Sequence, residues 1–392
     1  MLPHTPRQLR EGCSSARSRL RVSLQRSDLN EEGVKFGFAE ANGWRPAMED
    51  RTFVRCPLPK PLNRMSLFGV LDGHGGDFSA SYLSDALPKC IYESLVSHFE
   101  NDWTEKGLVD ALTSAFAEAE RNLREQPRMT VEIEGERRRI VPLIDKSGST
   151  ALVCCVTDKL IAVANVGDCR AVLAQRNKIL SSFDALALSQ DHKPILPLER
   201  KRIESAGAQI YPVNGDVFEV GAPGTDLKLR MSRSFGDFYL KQRSDISVEE
   251  QPIIAVPDVL IQKIDGRESF ILLACDGVWD VLSNQDAVTF VSNCLIDQGL
   301  SAAESCDALL ARCLELGSSD NVSAMVIIPS SFSSPQLLLP STLDTPPPHL
   351  RSASSIGSVL RSSNEAESEL IDQVAGFSLD DTVKKNLTLE FE

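Results

Sequence analysis

Very short connections between apolar segments are the feature that most constrains this fold. Asp158 and Lys159 lie in the few residues that separate TALVCCV from LIAVANV. A connection this short cannot return a strand to lie parallel to its neighbour, so the two strands must run antiparallel. The chain is therefore predicted to form largely antiparallel sheets.

Eight segments have the apolar and β-branched composition of strands. They are VKFGFAEA, RTFVRC, SLFGVL, TALVCCV, LIAVANV, AVLAQ, SFILLAC and VSAMVII. Apolar residues at helical spacing predict helices at 77–98, 105–125, 197–206, 284–298 and 301–316. Ser301 and Glu304 form a capping box at the start of the last one. These helices are expected to cover the outer faces of the sheets.

Acidic residues occur at the tips of five of the apolar segments. These acids are Glu49 with Asp50, Asp72, Asp168, Asp276 and Asp320. Tips of neighbouring strands can converge in space, and converging carboxylates repel each other unless a cation lies among them. Oxygen ligands without a histidine pair or a thiolate cluster favour Mg²⁺ or Mn²⁺, and two such ions can activate a shared water. The pattern predicts a site for at least two of these ions and favours hydrolysis of a phosphate ester by metal-bound water.

The formal charge of -14 argues against a nucleic-acid partner and would repel a phosphorylated substrate. A phosphate site must therefore supply its own positive charge, and Arg45, five residues before Asp50, can do so with a bidentate guanidinium. His74, two residues beyond Asp72, is placed to protonate a leaving oxygen. The sequence has no GxSxG elbow and no GxxxxGK[ST] loop, so neither a serine nucleophile of that kind nor a nucleotide-binding loop is expected. The two Cys-x5-Arg spacings, Cys13 to Arg19 and Cys306 to Arg312, lie in the Ser/Arg-rich arm and in a predicted helix, so a covalent cysteine nucleophile is not expected either.

Eight motifs occur in the order found in a known family: RPAMED, VLDGHGG, SGSTA, VGDCRAV, DHKP, MSRSFGD, ACDGVWD and SSDNVS. Over residues 34 to 329 the chain resembles the metal-dependent serine/threonine protein phosphatases of type 2C. The resemblance implies an α/β fold of the α+β type, in which two packed, largely antiparallel sheets lie between helices on both outer faces, a four-layer αββα sandwich. It also implies phosphorylated protein substrates and a role in signalling.

The resemblance also implies roles for individual residues. Asp72 corresponds to the carboxylate that bridges both metals, Gly73 lends a carbonyl, and Asp276 and Asp320 are the other direct ligands. Glu49 and Asp50 act mainly through bound water. Arg45 is similar to the phosphate-binding arginine and His74 to the general acid. Asp168, with Asp276 and Asp280, resembles a weaker third metal site. Lys193, Arg233 and Asp237 lie in the motifs without a direct role.

Composition divides the chain into three parts: a Ser/Arg-rich arm at 1–33, a catalytic domain at 34–330 and a Ser/Pro-rich tail at 331–392. The arm and tail are predicted to be disordered, with a short helix at 369–379. Within the catalytic domain, 127–147 reads as an inserted hairpin that turns at Gly135. Residues 212–229 resemble the family's variable flap, where substrate preference is expected to lie.

The ten cysteines form no CxxC pair, which favours reduced thiols and an intracellular location, cytoplasmic or nuclear. The Arg-rich start leaves a mitochondrial location as an alternative. No run of eighteen apolar residues predicts a membrane span, and a monomer is expected. A pseudophosphatase-like binding module and a different two-metal hydrolase, such as a nuclease, remain alternatives to the active phosphatase.

Overall fold

Antiparallel strands and two pairs of helices account for most of the chain that the structure describes. The computed structural model describes residues 25–27, 34–98, 104–126, 129–134, 137–142, 146–177, 182–215, 217–222 and 226–329. Most of the predicted arm, the whole predicted tail and the predicted helix at 369–379 lie outside these ranges. The domain boundaries at 34 and 330 therefore stay predictions.

The strands follow one another along the chain with short connections between many of them. They are β1 (Gln25–Ser27), β2 (Val34–Ala41), β3 (Arg51–Arg55), β4 (Ser66–Leu71), β5 (Gly73–His74), β6 (Met129–Glu134), β7 (Arg137–Pro142), β8 (Gly148–Ser149), β9 (Ala151–Val156), β10 (Leu160–Val166), β11 (Arg170–Arg176), β12 (Phe183–Ala187), β13 (Gln209–Asn214), β14 (Val217–Gly221), β15 (Lys228–Leu229), β16 (Phe235–Gly236), β17 (Asp258–Lys263), β18 (Glu268–Ala274) and β19 (Val322–Pro329).

The helices lie between groups of strands. They are α1 (Phe78–His98), α2 (Glu105–Arg124), α3 (Pro197–Ser205), α4 (Asp276–Trp279), α5 (Asn284–Ile296) and α6 (Ala302–Glu315), with a short 3-10 helix at Phe238–Leu240. The predicted capping box of α6 is present, because the Ser301 hydroxyl accepts from the Glu304 amide and the Glu304 carboxylate accepts from the Ser301 amide. The five predicted helices are confirmed to within a few residues at their ends.

Two large sheets carry the fold. One has the strand order β1-β2-β19-β18-β11-β12 and the other the order β17-β10-β9-β4-β3. Every ladder between neighbouring strands of these sheets is antiparallel, as the short connections predicted. Smaller sheets are formed by β13-β14-β15, by β16-β8-β5 and by the β6-β7 hairpin, which corresponds to the hairpin predicted within 127–147.

Three apolar layers hold the sandwich together. Side chains of both large sheets meet in a central core that includes Phe68, Leu152, Ile271 and Met325. The outer face of the five-stranded sheet packs on α1 and α2, and that of the six-stranded sheet packs on α5 and α6. The four-layer αββα arrangement is therefore confirmed.

Some elements escaped the sequence prediction. β1 falls inside the predicted N-terminal arm and pairs with β2. β13 and β14 form a hairpin in the region of the predicted flap, and β17 is an edge strand whose residues are half-buried at most. In the part of the chain that the structure describes, no helix is long and apolar enough to cross a membrane. The nine cysteines in the same ranges are free thiols, eight of them buried.

Candidate metal centre

The predicted acids lie at strand tips of both large sheets. Asp50 directly precedes β3 and Asp72 directly follows β4, both in the five-stranded sheet. Asp276 comes just after β18 and Asp320 just before β19, both in the six-stranded sheet. Asp168 lies in the turn that leads from β10 of the first sheet to β11 of the second. These five residues are called the tip cluster below.

The electrostatics of the tip cluster show that its members are close to one another. Removal from water raises the pKa of Asp72 well above its ordinary value, and repulsion from the other four carboxylates of the cluster adds to the shift. The pKa of Asp276 is raised for the same reasons, with Asp168, Asp280 and Asp320 as the repelling charges. A group of acids that resists ionisation in this way is stabilised when a cation joins it.

Asp50 is the most deeply buried of the acids that precede a strand. Burial raises its pKa to about 7, although a hydrogen bond from Ser323 favours the ionised form. The Ser323 hydroxyl donates to Asp50 Oδ2 at 2.7 Å. Ser323 belongs to β19, so this bond joins the start of β3 in one sheet to a strand of the other.

Asn321, which the sequence analysis did not select, organises the loop that carries Glu49. Its side-chain nitrogen donates to the carbonyls of Asn42 and Ala47, and its side-chain oxygen accepts from the Glu49 amide. The neighbouring Asp320 carboxylate accepts from the Asn321 amide at 2.7 Å. The asparagine in SSDNVS was a signal for this role, because an amide can satisfy donors and acceptors of a loop at once.

Gly73 must be a glycine because of the way the Glu49 loop approaches it. A Cβ at this position would lie 2.3 Å from the Glu49 carbonyl oxygen. The Glu49 carboxylate in turn accepts from the Gly76 amide at 2.9 Å. The structure therefore places Glu49, Asp50, Asp72 and Gly73 beside one another, as a shared ligand set requires.

Asp168 is the buried acid of the turn between the two sheets. Its Oδ2 accepts from Lys193 Nζ at 2.6 Å. Its Oδ1 is buried and has no hydrogen-bond partner among the residues that the structure describes. A buried carboxylate oxygen without a partner is costly, and a cation would satisfy it.

Asp280, the remaining predicted ligand, lies one helical turn beyond Asp276. The two residues bracket α4, and the Asp280 amide donates to the Asp276 carbonyl at 2.8 Å. Burial raises the pKa of Asp280, and the charge of Lys193 partly opposes that effect. Its position on the exposed side of α4 places it at the rim of the tip cluster.

The carboxylates of the tip cluster are not arranged around one common point that a metal ion could occupy. Among the described residues, no three His, Cys, Asp or Glu side chains stand ready to hold a metal ion as they are. Lys193 occupies one oxygen of Asp168 and Arg45 one oxygen of Asp320. The all-oxygen donor set, the raised pKa values and the unpartnered Asp168 oxygen nevertheless fit Mg²⁺ or Mn²⁺. A cation entering this site would displace or share these two basic contacts.

Arg45 lies at the open edge of the tip cluster. Its Nη2 donates to Asp320 Oδ2 at 2.7 Å, and 51% of its side-chain surface is exposed. The neighbouring Trp44 is also exposed. Arg45 is thus anchored to a candidate ligand at one nitrogen while the guanidinium faces the solvent, where a phosphate can reach it.

His74 is held by a buried acid on a third segment. Its Nε2 lies 2.8 Å from Asp237 Oδ2, which also accepts from the Ser234 hydroxyl at 2.6 Å. Desolvation lowers the pKa of His74, but the charge and hydrogen bond of Asp237, together with the charges of Asp168 and Glu49, outweigh it and the pKa is raised. Asp237 adopts a positive φ of 47°, a strained conformation for a residue other than glycine.

The small β16-β8-β5 sheet creates the space for this pair. His74 pairs with Gly148, and Gly148 pairs with Gly236, so Gly148 lies between the two partners. A Cβ on Gly148 would lie 2.4 Å from His74 Nε2 and closer still to the Asp237 carboxylate. Sequence reasoning assigned Asp237 no role; the glycine of SGSTA, which gives the pair its room, was the available signal.

A comparison with models of protein families shows to which family the chain belongs. The family model described as protein phosphatase 2C matches residues 34–322. The chain belongs to the protein phosphatase 2C family. It is 34% identical over 300 residues to the protein phosphatase 2C homolog 2 of Schizosaccharomyces pombe. The aligned region covers 74% of this chain and 69% of the relative.

Other members of the protein phosphatase 2C family are also similar to this chain. The protein phosphatase 2C homolog 2 of Hypocrea jecorina is 30% identical over 316 residues, or 76% of this chain and 63% of the relative. The chain thus spans about two thirds of the length of these curated relatives. A crystal structure of a serine-threonine phosphatase 2C from Toxoplasma gondii superposes with a TM-score of 0.64 at 20% identity, over 78% of this chain and 98% of that one, which supports the fold.

Proposed function

We propose that this protein is a metal-dependent serine/threonine phosphatase that hydrolyses phosphoserine and phosphothreonine in protein substrates. The observation that carries the proposal is the tip cluster, in which carboxylates from both sheets meet beside an exposed arginine and a histidine. Membership of the protein phosphatase 2C family supports the same reaction class.

The tip cluster would hold Mg²⁺ or Mn²⁺, at least two ions. Asp72, the Gly73 carbonyl, Asp276 and Asp320 would be direct ligands, and Glu49 and Asp50 would act through water. Asp168 and Asp280 would serve a further ion with Asp276. When bound, such ions supply Lewis-acid stabilisation of the phosphoryl oxygens and a water of lowered pKa.

Arg45 binds the phosphate of the substrate in this proposal. Its contact with Asp320 fixes the guanidinium at the edge of the site, and its exposed surface leaves room for a phosphate group. A guanidinium offers paired donors that match two phosphate oxygens. The net charge of -14 makes this local positive charge necessary for a phosphorylated substrate to approach.

His74 supplies a proton to the serine or threonine oxygen as it leaves. Asp237 accepts the hydrogen bond from Nε2 and stabilises the protonated ring, so the imidazole is held in one orientation. The buried Ser234 hydroxyl fixes Asp237 in turn. Because Nε2 is bound to Asp237, the proton for the leaving oxygen would come from Nδ1, which is buried and has no hydrogen-bond partner among the described residues.

Release of inorganic phosphate from a phosphothreonine peptide by the full-length chain tests the proposal. Activity is expected with Mn²⁺ or Mg²⁺, no activity with EDTA, and little activity on a matched phosphotyrosine peptide. Binding of Mn²⁺ and phosphopeptide without phosphate release would instead favour a pseudophosphatase-like binding module.

A further inference from the structure

The DHKP segment and the turn that carries Asp168 interlock through three consecutive side chains. Arg170 donates to both oxygens of Asp191, at 2.9 and 2.8 Å. His192 contacts Gly167, and Lys193 contacts Asp168. The first three residues of the segment thus meet three different residues in or directly after the turn, which indicates that the segment holds the turn in place.

His192 is fixed in one tautomer by its two partners. Its side chain is almost fully buried, and its Nδ1 accepts from the Gly167 amide at 3.1 Å. Because a backbone N–H can only donate, the ring hydrogen of the neutral imidazole belongs on Nε2, which lies 3.1 Å from Asp258 Oδ2. The imidazole therefore links the Gly167 amide to the Asp258 carboxylate with a defined direction.

Both backbone polar groups of Gly167, the amide and the carbonyl, are hydrogen-bonded. Its carbonyl accepts from the His192 amide at 2.9 Å and from the Asn165 side chain at 3.1 Å. Gly167 has a positive φ of 108°, and a Cβ there would lie 2.5 Å from a Thr150 methyl carbon. These contacts constrain the turn, and with it the backbone from which the Asp168 side chain projects, one residue later.

The far side of His192 leads to helix α3. Asp258 Oδ1 accepts from Arg233 Nη1 at 2.8 Å, and Arg233 Nη2 donates to Glu199 Oε1 of α3 at 2.7 Å. Glu199 is buried, and 12% of the Arg233 side-chain surface is exposed. A continuous chain of hydrogen bonds therefore runs from α3, which precedes the β13–β14 hairpin, to the turn that carries Asp168.

We propose that His192 is a positioning residue that sets the orientation of the Asp168 carboxylate for a divalent cation and ties that orientation to α3 through Asp258 and Arg233. The inference rests on the proposed function insofar as Asp168 is taken to bind a metal. His192 touches neither the cation nor the substrate; it acts through the Gly167 peptide.

Two substitutions separate the two ends of the imidazole. In His192→Asn the side-chain oxygen lies where Nδ1 was and can still accept from Gly167, but the link to Asp258 is lost. In His192→Gln the side-chain nitrogen reaches toward Asp258, while no acceptor remains at the Nδ1 position. If Gly167 is the contact that matters, asparagine should rescue and glutamine should not.

Calorimetric titration with Mn²⁺ provides a readout other than activity. The relevant Kd is that of the ion whose binding disappears in Asp168→Asn. His192→Gln should weaken it by roughly 10- to 100-fold, the usual effect of removing a group that orients a ligand, whereas His192→Asn should stay close to wild type. Asp258→Ala, on an exposed side chain, leaves the imidazole without its acceptor at Nε2, so the ring hydrogen can move to Nδ1 and the bond from the Gly167 amide is then lost. This variant should therefore weaken the Kd in the same direction, a loss that asparagine avoids because it has no tautomers, and it serves if His192→Gln fails to fold.

A double-mutant comparison separates positioning from a merely structural role. With Asp168→Asn already present, His192→Gln should not change the Mn²⁺ dependence of phosphate release any further. A lowered Tm with an unchanged Kd, or additive effects on Mn²⁺ dependence, would overturn the inference. Wild-type protein that binds Mn²⁺ without releasing phosphate would refute only the proposed function, whereas wild-type protein that binds no Mn²⁺ would overturn both.

Discussion

Two groups of carboxylates withdrawn from water have opposite electrostatics in this molecule. In the tip cluster the pKa values of Asp72 and Asp276 are raised by desolvation and by mutual repulsion. Around Glu199, which is buried, burial also raises the pKa, but hydrogen bonds and charges from Arg233, Arg202 and Ser232 outweigh it and lower the pKa to about 2. Burial alone therefore does not decide the charge state of an acid here; the number of positive partners does.

The two groups differ in whether the protein itself supplies enough positive charge to match the carboxylates. Glu199 accepts from Ser232 at 2.6 Å and lies 2.8 Å from Arg202 and 2.7 Å from Arg233. Its negative charge is matched within the protein. The tip cluster has five carboxylates with only Lys193 and Arg45 as direct cationic contacts among the described residues, so the balance has to come from outside the chain.

Removing a carboxylate from the tip cluster should have the largest effect on activity. Asp276→Asn is expected to reduce phosphate release by about 10³-fold or more, because a charged ligand of the cation is lost. The same change should raise the Tm measured in EDTA, since one source of repulsion disappears. Phosphate release and thermal unfolding check the two effects; a lower Tm in EDTA would contradict the comparison.

Glu199→Gln should do the opposite and destabilise the fold. The guanidinium groups of Arg202 and Arg233, which are largely covered, would lose their shared counter-charge, at a cost of about 3 kcal/mol in the free energy of unfolding. The matched control is Glu204→Gln on the same helix, which breaks an exposed pair with Arg200 and should cost less than about 1 kcal/mol. Urea unfolding of both variants measures the difference, and equal losses would refute the distinction between the sites.

His74 tests an intermediate case, since its partner Asp237 is a buried acid that also accepts a hydrogen bond from Ser234. His74→Gln should lower turnover of a phosphoserine peptide by about 10²-fold, because a serine alkoxide leaves badly without a proton. Hydrolysis of p-nitrophenyl phosphate should fall much less, since its leaving group is stable alone. Arg45→Ala should instead raise KM for both substrates, and equal losses of kcat on both in His74→Gln would count against a general acid.

The pH dependence of stability should show the smallest of these effects. The folded-state pKa of Glu199 is about 2, below its ordinary value of 4.5. The stability that ionised Glu199 gives to the fold is therefore complete above pH 4.5 and is lost as the pH falls toward 2. From about pH 5 to about pH 3, the free energy of unfolding of wild type should fall about 2 kcal/mol more than that of Glu199→Gln. Parallel curves for the two proteins would refute the prediction.

The contribution of Asp50 to the stability of the fold should depend on pH with the opposite sign to that of Glu199. Its pKa is raised from 3.8 to about 7 in the folded protein, so folding without metal favours the protonated form. In EDTA, this carboxylate should make the protein less stable as the pH rises between those two values, and Asp50→Asn should remove that part of the decline. Thermal unfolding of both proteins across this range gives the comparison.

The sequence predicted the elements whose pattern is local. The eight apolar segments became strands because their side chains are buried on one or both faces, and the acids next to them were visible as breaks in apolar runs. By contrast, β13 and β17 have mostly exposed or half-buried residues and one contains Pro212, so no apolar pattern marked them. The short helix α4 was missed because four residues are too few for a helical period.

Contacts between distant segments were beyond the sequence pattern. Asn321 binds a loop more than 270 residues away in the chain, and the signal in its own neighbourhood was only an amide beside an acid. Glu199 reads as an ordinary first-turn acid of a surface helix until tertiary packing brings Arg233 and Ser232 to it. The ligand and catalytic roles of the tip residues, Arg45 and His74 stay predictions until the substitutions above are made.

The tip cluster draws its acids from two sheets that otherwise meet through an apolar core. A cation held by Asp72 on one side and Asp320 on the other would join the sheets, and they could not separate without breaking its bonds. Because such a ligand binds only the folded state, it raises the free energy of every opening that parts the sheets. Amide exchange in β4 and β19 should then slow together when Mn²⁺ is added, and the residence time of the ion would report how often the sandwich opens.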